Sequence, residues 1–85
     1  MRDRTQINLN VIDKDDFLEM PLETQALYFH LVFRADSNGV LNNYKAVMRL
    51  VRGRESSFEM LVKKGYVGKT VADEYYIADW EKHIG

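Results

Sequence analysis

The chain has 85 residues, of which 46% are hydrophobic and 29% charged, with 12 basic and 13 acidic side chains and no cysteine. That length supports one domain near the lower size for an unstapled core, and the missing cysteines exclude disulfides and thiolate–metal links as staples. No apolar run approaches the roughly 20 residues of a membrane span. The opening MRDRTQINLN holds no apolar secretory core, so the expected location is cytoplasmic.

The net charge is −1, but the charges are unevenly placed. Residues 42–70 carry seven basic and two acidic side chains, a net of +5, while residues 1–20 and 71–85 stand at −2 and −3. A local basic segment matters more for phosphate binding than the total does.

In chain order, Ile7, Leu9 and Val11 alternate with Asn8 and Asn10, the period of a short half-buried strand. Asp13 is placed as the N-cap of a short helix around residues 14–19, with Asp16 in its first turn. Pro21 stops that helix and suits the start of the next, expected over about residues 23–35. At about 100° per residue, Leu31, Val32 and Ala35 fall close to Tyr28. Ala26, Phe29 and Phe33 form a second flank and Leu27 a third, while Glu23, His30 and Arg34 share the polar strip. A helix apolar over most of its circumference is one that the rest of a small domain packs against.

Asp36-Ser37-Asn38-Gly39 reads as a sharp turn, followed by a stub of strand at Val40-Leu41. Asn42 or Asn43 caps a helix of about residues 44–52, with Gly53 as its stop. Its inner stripe is Tyr44, Val47, Met48 and Val51. Lys45, Arg49 and Arg52 lie within about 60° of one another on its flank. Ser56-x-x-Glu59 has the form of a capping box for a third helix of about residues 57–64, ended by Gly65. Phe58, Leu61 and Val62 face inward there, and Ser56, Met60, Lys63 and Lys64 outward. Residues 66–69 then pair with residues 74–80 around a turn at 71–73. Alternation places Tyr76, Ala78 and Trp80 on one face and Tyr75 and Ile77 on the other.

The class is α+β, mainly α. The order is that of a winged helix-turn-helix, a single domain over residues 1–85, with a strand–helix extension over 1–20 and the core over 21–80. In that fold the second short helix enters the major groove and the hairpin reaches the backbone or the minor groove. Lys45, Arg49, Arg52, Arg54, Lys63, Lys64 and Lys69 are the candidate phosphate contacts of a double-stranded DNA partner. Ser56, Ser57 and Met60, with Arg54, are candidates for base edges. The plainer readings are a solvated basic face, with Lys63 and Lys64 complementing a helix C-terminus, and Ser56 as a cap only.

Two histidines without cysteine do not make a zinc site. Asp36-Ser37-Asn38-Gly39 departs from a calcium loop, because its glycine comes early and no glutamate stands at the twelfth position. There is no Gly-rich phosphate loop, nucleophile elbow or carboxylate pair with a reason to be buried. The expectation is therefore a non-enzymatic protein without metal or cofactor.

The run Phe17-Leu18-x-Met20-Pro21-Leu22-x-x-Gln25-Ala26-Leu27-Tyr28-Phe29-His30-Leu31 resembles the N-terminal domain of phage replisome organiser proteins, relatives of the DnaD-type primosomal proteins. The resemblance continues through Arg34-Ala35-Asp36-x-x-Gly39-x-x-Asn42-Asn43, Met48-Arg49, Gly65-Tyr66-Val67 and Trp80-x-x-His83, over nearly the whole chain. It implies a winged-helix DNA-binding domain that helps load the replication machinery at a phage origin. It also implies a homo-oligomer, in which the N-terminal extension takes part, and other replication proteins as partners. The tail, Trp80-Glu81-Lys82-His83-Ile84-Gly85, departs from the family's usual Trp-x-x-His-Asn. The loop before the third helix is about one residue short. Family members also carry a further C-terminal region for DNA or helicase-loading partners. DNA binding is thus the more direct implication, ahead of a complete initiator role. Two other readings share the core: a protein-interaction module without the DNA contacts, and a small transcriptional regulator.

Overall fold

The long helix α3 (Leu22–Arg34) sits at the centre of the computed structural model, which describes residues 6–84. Residues 1–5 of the expected extension and Gly85 of the expected domain lie outside the described residues. Two short helices precede α3, α1 (Leu9–Ile12) and α2 (Asp15–Leu18). After it come α4 (Tyr44–Val51), α5 (Glu55–Lys63), β1 (Val67–Lys69), β2 (Tyr75–Ile77) and α6 (Trp80–Ile84). The fold is α+β and mainly helical.

Helix α3 forms as its periodicity predicts. Pro21 holds the N-cap position, and its carbonyl accepts from the amides of Thr24 and Gln25 at 2.9 and 3.1 Å. Gln25 donates back to the Met20 carbonyl at 2.8 Å and so fixes the corner with α2. Leu27, Tyr28, Leu31 and Val32 are buried, and α4 and α5 pack on this face. The second flank is less buried than expected: Phe29 is half-covered, while Ala26 and Phe33 are exposed. Arg34 and His30 meet on the polar strip, with Nη1 and Nδ1 2.9 Å apart.

The turn after α3 also forms as read. Asp36 Oδ1 accepts from the amides of Asn38 and Val40 at 2.8 and 2.9 Å, and Gly39 takes φ of 81°. Asn42 Nδ2 donates to Asp36 Oδ2, and Asn43 holds the N-cap position of α4 without a side-chain bond. The hairpin is antiparallel with register Val67↔Ile77, Gly68↔Tyr76 and Lys69↔Tyr75. Val40 bridges Tyr76 on the other edge of β2, so the strand stub adds a third, one-residue rung.

The N-terminal strand does not form. Asn8 is instead the N-cap of α1, its Oδ1 accepting from the Asn10 amide at 2.8 Å. Asparagine side chains compete for nearby backbone groups and favour caps, which overrides a five-residue alternation. Val11 is buried and Leu9 exposed, which a shared strand face would not allow. Asp13 is correspondingly the C-cap of α1 rather than the N-cap of α2.

The C-terminal end also differs from the sequence expectation. Strand β2 stops at Ile77, and Trp80 opens α6 instead of continuing the hairpin. Its indole lies against Gly39, where an added Cβ would meet the ring, and its Nε1 donates to the Ser37 carbonyl at 3.2 Å. One turn later His83 is buried. The Asn8 amide donates to His83 Nδ1 at 3.0 Å, so Nδ1 is the acceptor and the proton resides on Nε2. Nε2–H therefore donates to the Tyr28 hydroxyl, 2.6 Å away. Asn8 Nδ2 adds a bond to the Lys82 carbonyl at 3.1 Å.

This arrangement requires a neutral ring. Burial lowers the His83 pKa below its ordinary 6.5 and outweighs the Asp79 carboxylate, which acts in the opposite sense. The unfolded chain thus takes up a proton at about the ordinary value while the folded one resists. The expected stability contributed by His83 is full above pH 6.5 and is lost as the pH falls toward the lowered folded value. Thermal melts from pH 7.5 to 5 should show this decline, and His83→Gln should melt lower at pH 7.5 with a flatter dependence.

Candidate nucleic-acid interface

Three aromatic side chains from three elements set the geometry of the basic segment. Tyr44 at the start of α4 stacks on Phe58 of α5, with centroids 4.6 Å apart and planes at 13°. Tyr75 of β2 meets both rings edge-on, at 4.8 and 4.9 Å. Offset and edge contacts of this kind contribute about 0.5–1.5 kcal/mol each beyond area burial. They fix α4, α5 and the hairpin as one unit, so the cations on these elements have set spacings.

Helix α4 ends differently from its sequence expectation. Its C-cap is Arg52, in the left-handed conformation at φ 58° and ψ 41°, and Gly53 is not the positive-φ residue. The Gly53 amide closes the end on the Met48 carbonyl at 2.8 Å. Gly53 is closely packed instead, since a Cβ there would stand 3.1 Å from both Leu27 Cδ1 and Met48 Sδ, so those side chains would have to give way.

Helix α5 starts two residues earlier than the capping box implied. Arg54 is its N-cap, without a side-chain bond, and Ser56 lies inside the first turn. Ser57 turns to the core and is buried, so it cannot reach a base edge. Ser56 is exposed, and Met60 is half-buried against the core. Arg54 reaches back toward α3, its Nε 3.5 Å from Glu23 Oε2, in a pair exposed enough to add little stability.

Five of the remaining cations fall into two clefts. Lys45, Arg49 and Arg52 line one of about 400 Å³ with Met48, Gly53 and Glu55. Lys63 and Lys69 line another of about 290 Å³ with Tyr44, Phe58, Glu59 and Tyr75. Glu55 borders both clefts, so the start of α5 runs between them. Lys69 pairs with Asp73 at 3.2 Å and lies 5.8 Å from the Tyr75 ring centroid. The Asp73 hydrogen bond is the chief cause of its raised pKa. Lys64 is exposed at the C-terminus of α5 and borders neither cleft. Among the described residues, Lys45, Arg49, Arg52, Lys63 and Lys64 form no ion pair.

The geometry therefore unites Lys45, Arg49 and Arg52, which the helical wheel had grouped, and ties Arg54 and Lys69 to carboxylates. It also adds Tyr44, Phe58 and Tyr75 as the frame, whose mutual contact no spacing in the sequence reveals. Such a surface offers anion contacts; among the described residues no three His, Asp or Glu side chains are arranged to hold a metal ion. No described helix is long and apolar enough to cross a membrane. Compared with family models, curated proteins and solved structures, the chain matches none.

Because Phe58 joins both partners of the frame, Phe58→Ala is expected to lower the unfolding free energy by about 3–5 kcal/mol, read by denaturant titration.

Proposed function

We propose that this chain is a non-enzymatic winged-helix DNA-binding domain that acts in phage-type replication initiation. The observation that carries the DNA-binding part is the set of five exposed cations, free of ion pairs among the described residues, on α4, on α5 and its C-cap, and on the turn between them. The winged-helix reading is supported by the order of α3, the Val40 rung, α4, α5 and the hairpin. In it α5 takes the major groove, presenting Ser56 and the exposed part of Met60, and the hairpin lies along the backbone with Lys69. The replication role is supported by the FLxMPLxxQALYFHL and RADxxG resemblance. A homo-oligomer is in keeping with Leu9, Leu18 and Leu22, three large apolar side chains left exposed on the N-terminal stretch and the start of α3.

A second reading, a protein-interaction module, draws on two observations. Glu55 and Glu59 are exposed on α5, where they would repel phosphates. Phe33 and Leu50 are exposed beside a separate, largely apolar cleft of about 400 Å³.

A titration of labelled duplex at two salt concentrations, with mass followed by light scattering, separates the readings. Five phosphate contacts give a slope near −4.5 in log K against log salt, hence a loss of about 500-fold between 50 and 200 mM salt. The interaction module instead predicts no salt-dependent binding alongside a stable oligomer. Lys63→Glu with Lys64→Glu should abolish duplex binding and leave the thermal melt nearly unchanged. Full binding by that double variant would show the proposed face to be wrong.

A further inference from the structure

The left-handed bend at position 52 closes the end of α4, but nothing within the fold calls for an arginine to make it. Left-handed φ and ψ disfavour any residue with a Cβ, and glycine or asparagine is the usual occupant at a helix end. Here the backbone bends at an arginine, at φ 58° and ψ 41°, with the glycine one position later. The side chain is exposed, so no burial offsets the strain. Among the described residues its guanidinium takes part in no ion pair or hydrogen bond. A left-handed, unpartnered, exposed arginine is therefore held against local preference. Strain of this kind is found where a position serves a ligand.

Its surroundings indicate the ligand. Arg52 borders the cleft that holds Lys45 and Arg49, with Glu55 as the cleft's single acid. That lining leaves two positive charges in excess, suited to a phosphodiester. The planar guanidinium can grip two oxygens of one phosphate, which a lysine cannot do. Gly53 keeps the turn tight against Leu27 and Met48, so the arginine is presented from a fixed backbone rather than a loose loop.

We infer that Arg52 is the phosphate anchor of the interface, holding one backbone phosphate of duplex DNA in the cleft with Lys45 and Arg49, at a cost to the stability of the fold. This deepens the DNA-binding reading and rests on it. The test compares Arg52→Gly, Arg52→Asn and Arg52→Lys with the parent, by thermal melt and by duplex titration over a range of salt. Glycine and asparagine relieve the left-handed strain, so both variants should melt about 4 °C above the parent. Both should also lose one counterion-release contribution. Their log K against log salt becomes shallower by about 0.9, and the affinity falls about eightfold at 0.1 M salt. Arg52→Lys keeps the charge and the strain, so its slope and melt should match the parent's.

Shallower slopes in the two uncharged variants, with melts no lower than the parent's, support the anchor. Slopes equal to the parent's overturn it while leaving DNA binding in place. Lower melts for either variant make Arg52 a structural residue and overturn it as well. A parent that shows no salt-dependent binding overturns both the anchor and the DNA-binding reading.

Discussion

The imidazole of His83 joins three stretches of chain that are far apart in sequence. It accepts from the Asn8 amide and donates to Tyr28, so the N-terminal segment, the central helix and the last helix meet at one ring. Both nitrogens are used, which fixes the tautomer and forbids the charged form. An unmatched donor or acceptor at such depth costs about 1–3 kcal/mol, a large share of the margin of a domain this small. Around this joint the aromatic rings of Phe17, Tyr28 and Tyr66 pack edge-on at 5.2 to 5.7 Å. The Tyr66 hydroxyl donates to Asp16 at 2.7 Å, so α2 is tied to the chain entering β1. Burial and that carboxylate both push the Tyr66 pKa upward, keeping the hydroxyl a donor.

A second aromatic group, Tyr44, Phe58 and Tyr75, performs the same task for the elements that follow α3. The first group closes the ends of the chain onto the central helix. The second fixes α4, α5 and the hairpin to one another. Between them α3 supplies Leu27, which packs against the turn at Gly53. The basic side chains thus project from elements whose relative positions are set by core packing. Charge is the cheaper part of this surface to vary, because exposed cations contribute little to folding. Arg52 is the exception, since its backbone carries strain that its side chain does not relieve within the chain.

The central helix was legible because thirteen residues at a 3.6-residue period leave few alternatives. The grouping of Lys45, Arg49 and Arg52 was legible for the same reason: they share a helix flank. The Asp36–Gly39 turn and the presence of a hairpin followed from local chemistry. Ile7 to Val11 misled because five residues of alternation fit a strand or a capped helical turn equally well. The choice fell to Asn8, whose partner lies 75 residues away. Trp80 and His83 were hidden for a similar reason, as their inward-facing spacing makes sense only once Gly39 and Tyr28 are in place. At Arg52-Gly53 the sequence shows an adjacent pair but not which member bends, and in the fold it is Arg52, with Gly53 packed against Leu27 and Met48. Ser57 was misplaced because its neighbour Ser56 looked like a cap, which shifted the helix start by two positions.

What unites the fold and the surface is that α4 and α5, held by the Tyr44–Phe58–Tyr75 frame, carry the basic clefts that the proposed DNA-binding function turns toward one duplex. Backbone amide shifts of isotopically labelled protein, followed while unlabelled duplex is added at low salt, test this most directly. The expected result is movement concentrated at residues 45–55, 63, 64 and 69, with the amides of residues 8–13 and of Phe33 unmoved. Shifts confined to the Phe33–Leu50 cleft or to the N-terminal helices, or no shifts at all, would contradict it.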